Sequence, residues 1–125
     1  MKNKVLIIDD DFSIREFYKT FFAENGFDVI TAEDGIVGLK YFKEQRPDII
    51  LLDISMPEKN GLDVLREIRE IDEDIPVFLL TAYEEHKRNF ASLYADEYFV
   101  KTKKPSLILE RVEKAIEKRK SKLKS

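Results

Sequence analysis

Apolar residues fall into two patterns along this chain: unbroken runs of four, and stripes at helical spacing that separate them. Val5–Ile8, Ile49–Leu52 and Val77–Leu80 are unbroken runs, as strands buried on both faces of a parallel sheet require. After the first run, Ile14, Phe17, Tyr18, Phe21 and Phe22 make a helical face that Asn25-Gly26 stops. Phe27–Thr31 reads as a second, more alternating strand. Asp34-Gly35 then opens a helix with Ile36, Leu39 and Phe42 inward, which ends before Pro47. A helix from about Leu62 carries Leu65, Ile68 and Ile71 inward. Residues 84–94 read as a short helix buried through Phe90, Leu93 and Tyr94. Tyr98-Phe99-Val100 is a fifth strand. A last helix starts near Pro105-Ser106 with Ile108, Val112, Ala115 and Ile116 at helical spacing.

Strand and helix thus alternate five times without a repeat, the signature of a doubly wound α/β fold. The expected architecture is a five-stranded parallel sheet in the order 2-1-3-4-5, flanked by five helices. Residues 1–118 form the expected domain, and 119–125 a basic tail or the start of a linker. At 125 residues, with 43% hydrophobic and 38% charged positions, the chain suits one globular unit. A net charge of −3 argues against a nucleic-acid footprint. With no cysteine and one histidine, His86, thiolate and multi-His metal sites are excluded. No run is long enough to span a membrane, and the N-terminus is no secretory signal, so the expected location is cytoplasmic.

The strand order makes the chemistry. Strands one and three become neighbours, so their C-terminal ends, Asp9-Asp10 and Asp53, converge. Three carboxylates in one cleft repel and call for a cation. Oxygen-only ligands favour a hard ion, and a small open site suits Mg²⁺. Thr81 ends the fourth strand with a hydroxyl and Lys101 follows the fifth with an ammonium. Carboxylates, a divalent ion, a hydroxyl and a lysine together suit phosphoryl transfer, in which a carboxylate can be the nucleophile. Asp11 is the expected cap of the first helix.

Ile8-Asp9-Asp10, Leu52-Asp53-Ile54-Ser55-Met56-Pro57 with Gly61, Thr81-Ala82 and Tyr98-Phe99-Val100-Lys101 occur in that order, each at a strand's C-terminal end. In this the sequence resembles the receiver domain of two-component response regulators, like the single-domain chemotaxis and sporulation regulators with their flavodoxin-like fold. The resemblance covers residues 4 to about 118. It implies that Asp53 accepts a phosphoryl group from a histidine kinase phosphohistidine. It implies Mg²⁺ (replaceable by Mn²⁺ or Ca²⁺) on Asp10, Asp53 and the Ser55 backbone carbonyl, with Asp9 bound directly or through water. Lys101, Thr81 and the Ala82 backbone would hold the phosphoryl group. Thr81 and Tyr98 would form the switch, while Ser55 and Tyr83 would set a slow self-dephosphorylation. Such a domain is no turnover enzyme; it catalyses only its own phosphorylation and dephosphorylation. The implied partners are a histidine kinase or phosphotransfer protein and a downstream protein or tethered output domain, without membrane or direct nucleic-acid binding.

Departures from the pattern are Thr102, where the family usually has proline, and a slightly shortened Thr81–Lys101 segment. Two other readings start from the same residues. Asp9-Asp10-Asp11 also resembles the strand-Asp-x-Asp start of haloacid-dehalogenase-type phosphatases, with Asp9 as nucleophile and Asp11 as acid/base. That reading leaves Asp53–Gly61 unexplained. A flavodoxin-type carrier shares the topology, but three aspartates in its first loop would repel a phosphate.

Overall fold

The computed structural model describes residues 2–54, 56, 60–82, 95–101 and 103–124. In chain order the elements are β1 (Lys4–Ile8), α1 (Phe12–Glu24), β2 (Asp28–Ala32), α2 (Gly35–Gln45) and β3 (Ile49–Asp53). They continue with α3 (Gly61–Ile71), β4 (Val77–Thr81), β5 (Glu97–Val100) and α4 (Pro105–Lys124). The strands form one sheet in the order β2-β1-β3-β4-β5, every pair parallel. This is the predicted topology. The described residues contain four helices; the helix expected over 84–94 lies outside them, as do Ser55, Pro57, Tyr83, His86 and Thr102.

Alternation along each strand divides the core in two. Leu6, Ile8, Ile50, Leu52, Val77 and Leu79 face α2 and α3, where Leu39, Phe42, Val64, Leu65 and Ile68 cover them. Val5, Ile7, Ile49, Leu51, Phe78 and Leu80 face α1 and α4, under Tyr18, Phe22, Ile108, Val112 and Ile116. With both faces covered, β3 and β4 are buried along their whole length, which is why their runs are unbroken.

Side-chain caps start the helices. Asp11 Oδ1 accepts from Ile14 N–H at 3.2 Å, Asp34 Oδ1 from Val37 N–H at 2.8 Å, and Asn60 Oδ1 from Leu62 N–H at 2.7 Å. Three apolar positions expected inward instead face out: Phe17, Ile36 (60% exposed) and Ile71 (55%). On α2 the buried stripe is Gly35, Gly38, Leu39 and Phe42. Ile36 sits off that stripe, because Gly38 brings the helix close to Ile8 of β1. Phe17 flanks the α1 stripe, edge-on to Tyr18 at 5.0 Å between ring centroids. Ile71 is the last residue of α3, beyond the cover of the sheet. The polar segment from Lys118 to Lys124 continues α4. Arg119 pairs with Asp72 at 2.9 Å and Lys122 with Asp74 at 3.1 Å, tying these turns to the α3–β4 connection.

Candidate functional site

The backbone ladder runs one residue past the strands and sets the site. Asp9 N–H donates to Ala32 O at 3.1 Å, Ile54 N–H to Leu80 O at 3.3 Å and Lys101 N–H to Thr81 O at 2.7 Å. Asp9 and Lys101 therefore follow β1 and β5, and Asp53 ends β3, in rigid register. One carboxylate oxygen from each of Asp9, Asp10 and Asp53 lies within 4.8 Å of the others. Asp9 and Asp53 are buried and Asp10 is exposed. Lys101 Nζ reaches both buried acids, 2.8 Å from Asp9 Oδ2 and 3.2 Å from Asp53 Oδ2.

Asp9 is held on every polar atom. Its Oδ1 accepts from Asp11 N–H at 2.9 Å, its Oδ2 meets Lys101, and its carbonyl accepts from Arg15 Nη1 at 2.7 Å. Burial raises the Asp9 carboxyl above its ordinary value of 3.8, only partly offset by Lys101 and the Asp11 N–H. Burial also works against the Lys101 ammonium, but the hydrogen bond to Asp9 and the charge of Asp53 outweigh it, leaving Lys101 raised above 10.5. Lys101 thus keeps its proton at neutral pH and bridges the two buried acids.

Thr81 is buried at the end of β4, and Ala82 follows it at the surface. On the neighbouring strand Tyr98 packs against the α2/α3 side of the core. Its hydroxyl is buried; the loss of water raises its pKa, and the nearby Thr81 side chain partly offsets that. Strand parity separates the two groups. Asp9, Asp53 and Lys101 continue the α1/α4-facing positions Ile7, Leu51 and Phe99, whereas Thr81 and Tyr98 share the α2/α3-facing register of Leu79. Ser55 and Tyr83 lie outside the described residues.

Of two further contributors to the site, Gly61 belongs to the motif read from sequence and Arg15 was not singled out there. Gly61 opens α3 directly against the backbone of Asp53 and Ile54, with its N–H donating to Ile54 O at 3.1 Å. A side chain there would strike the Asp53 carbonyl, so a glycine just after a strand–loop acid is the signal. Arg15 carries no signal, since a charged residue on an amphipathic helix looks like solvated surface.

The donor set fits a hard divalent cation: three carboxylates in one cluster, one of them open to solvent, with no soft ligand among them. The geometry goes against the phosphatase reading. Both Asp9 oxygens are engaged by the protein, and Asp11 is occupied in capping α1.

Comparison with known proteins agrees with this picture. The model of the response regulator receiver domain matches residues 5–113. A probable transcriptional regulator ycf27 of Guillardia theta is 40% identical over 113 residues, which is 89% of this chain and 44% of that protein. The response regulator MprA of Mycobacterium sp. (strain KMS) is 36% identical over 103 residues, 81% of this chain and 45% of that protein. The chain spans about half the length of these relatives. Among solved structures, the response regulator TrrA of Thermotoga maritima, in complex with Mg²⁺ and BeF, superposes with a TM-score of 0.86 at 40% identity. That match covers 92% of this chain and 99% of TrrA. With the acid cluster at the strand ends, the β2-β1-β3-β4-β5 sheet and these matches, this chain belongs to the response regulator receiver domain family.

Proposed function

We propose that Asp53 is the phosphoacceptor of this receiver domain and that Lys101 passes from Asp53 to the phosphoryl group as it arrives. The supporting observation is the double ion pair of Lys101 with Asp9 and Asp53 at the end of a fully buried strand. Asp10 and Asp53 would hold Mg²⁺ directly, with the Ser55 carbonyl, and Asp9 through water, because Asp9's oxygens already serve Lys101 and Asp11. Bound Mg²⁺ would offset the charge of the phosphoryl oxygens. Mn²⁺ or Ca²⁺, equally oxygen-seeking, would substitute.

An Asp53 carboxylate oxygen attacks phosphorus, forming the O–P bond of an acyl phosphate. The N–P bond of the donor phosphohistidine breaks, and its electron pair returns to the imidazole nitrogen. Lys101 stabilises the negative oxygens in a buried setting, where a fixed ammonium acts more strongly than in water. Thr81 supplies a hydroxyl to the same group from the next strand, and the Ala82 backbone N–H a second donor. Movement of Thr81 would change the surroundings of the neighbouring Tyr98 hydroxyl, shifting the population of the surface beside β5. The helix α4 would flank that surface. Ser55 and Tyr83 offer no carboxylate or amide to orient water, so loss of the phosphoryl group would be slow.

A histidine kinase or phosphotransfer protein would donate the group, and a downstream protein or a tethered output domain would read it. The longer regulators it resembles favour a tethered output, with residues 1–118 as receiver and 119–125 as the start of the linker. Intact mass after treatment with acetyl phosphate and Mg²⁺ tests the proposal. One phosphoryl mass is gained by the wild type and lost in Asp53→Asn or with chelator. A gain that survives Asp53→Asn overturns the assignment.

A further inference from the structure

We infer that Arg15 is a positioning residue for the cation site: it fixes the Asp9–Asp10 peptide plane and so sets where the Asp10 carboxylate stands. The inference rests on the metal site proposed above. Asp10 is exposed, and its carboxylate makes no hydrogen bond or ion pair among the described residues. Its place therefore depends on its backbone. The Asp9 carbonyl and the Asp10 N–H belong to one planar unit. Arg15 Nη1 donates to that carbonyl at 2.7 Å, a short charge-assisted bond. The guanidinium is fixed in turn. Arg15 N–H donates to Asp11 O at 3.0 Å, within the capped first turn of α1, and the guanidinium carbon sits 5.7 Å from the Phe12 ring centroid. Phe12 is 67% exposed, an aromatic that burial does not explain. As a shelf for the guanidinium it has a role at the site.

Charge and position make opposite predictions here. A guanidinium beside a divalent-ion site repels the ion, so removing its charge alone tightens Mg²⁺ binding. Removing a positioning bond loosens it. Calorimetric titration of Mg²⁺ at fixed ionic strength into wild type, Arg15→Ala, Arg15→Lys and Phe12→Ala separates the two, with Asp10→Asn as the reference for a lost ligand. Arg15→Ala weakens Mg²⁺ about tenfold, the usual scale for a group that orients a metal ligand. Arg15→Lys keeps the charge and an N–H donor and recovers most of the affinity. Phe12→Ala, at an exposed position, weakens binding about threefold by freeing the guanidinium. Circular dichroism reports that each variant is folded, and a purely structural role leaves the affinity of folded protein unchanged. Affinity unchanged or tighter in Arg15→Ala, or in Phe12→Ala should the former not fold, overturns the inference while the site stands. A wild type that neither binds Mg²⁺ nor takes up phosphoryl sinks the site and the inference together.

Discussion

Replacing Gly61 by alanine disturbs the phosphoacceptor through backbone alone. A Cβ at Gly61 would overlap the Asp53 carbonyl oxygen and come within 2.6 Å of Ile54 Cα. Those contacts are about 1 Å or more short of van der Waals separation, and neither atom belongs to a side chain that could rotate away. The Asp53–Ile54 peptide is planar and pinned, since Ile54 N–H donates to Leu80 O and Ile54 O accepts from Gly61 N–H. The strand end or the first turn of α3 must move as a unit. Overpacking of this kind costs about 3 kcal/mol, against well under about 1 kcal/mol of helix propensity regained at a first turn. Urea denaturation reads this as a midpoint lower by about 1–2 M. A shift of about 1 Å at the reacting carboxylate lowers the rate of uptake from acetyl phosphate by up to about 100-fold. Gly38→Ala is the control. Its Cβ would meet the Ile8 side chain, with Cδ1 at 2.5 Å, Cγ1 at 2.8 Å and Cγ2 at 3.0 Å, and not backbone. Repacking Ile8 is partly offset by helix propensity, leaving about 1 kcal/mol and phosphorylation close to wild type. Gly61→Ala within about 0.5 kcal/mol of wild type, or phosphorylated at the normal rate, would refute the reasoning.

Removal of the lysine charge acts on stability and chemistry at once. Lys101→Met leaves Asp9 and Asp53 buried without their cation, and folding at neutral pH weakens by about 3 kcal/mol. Asp9 is already held above 3.8, so its protonated form favours folding, fully below 3.8 and no longer once the pH passes the folded value. The variant raises that value further, and denaturation across the acid range should show its deficit shrinking as the pH falls. Phosphoryl uptake drops sharply in the same variant while Mg²⁺ binds more tightly. At the opposite end of the sheet, burial of Asp72 is outweighed by the Asp74 N–H, the charge of Arg119 and the Ile75 N–H, which hold its carboxyl below 3.8. Its contribution is present above 3.8 and lost as the pH falls through the folded value. Asp72→Asn is therefore less stable at neutral pH, with the difference vanishing in strong acid and shrinking in high salt.

Strands, their order and the converging acids were legible because each rests on a local rule. A strand covered on both faces must be apolar throughout, as Ile49–Leu52 is, and a chain of strand–helix units closes into few topologies. The acids stand where such strands end. Helix faces were less legible. Hydrophobic spacing cannot tell a stripe from its neighbour, so Ile36 was expected inward although Gly35 and Gly38 take the contact. Ile71 keeps helical phase with Ile68 but runs out of sheet to cover. Arg15 and Gly61 act through backbone atoms, and no pattern of side-chain polarity records which carbonyl a guanidinium meets or which peptide a Cβ would strike.

The division of the site by strand parity bears on how such a chain can change over time. Point substitutions leave the alternation intact, so helices and loops are free to drift while Asp9, Asp53 and Lys101 stay on the α1/α4 side and Thr81 and Tyr98 on the other. Loss or gain of a single residue within β3, β4 or β5 inverts every position after it. Such a change carries a reacting group to the far side of the sheet even when every functional residue remains in the gene. Length variation is therefore confined to the connections, where sequences of this type can diverge without separating the chemistry from its readout.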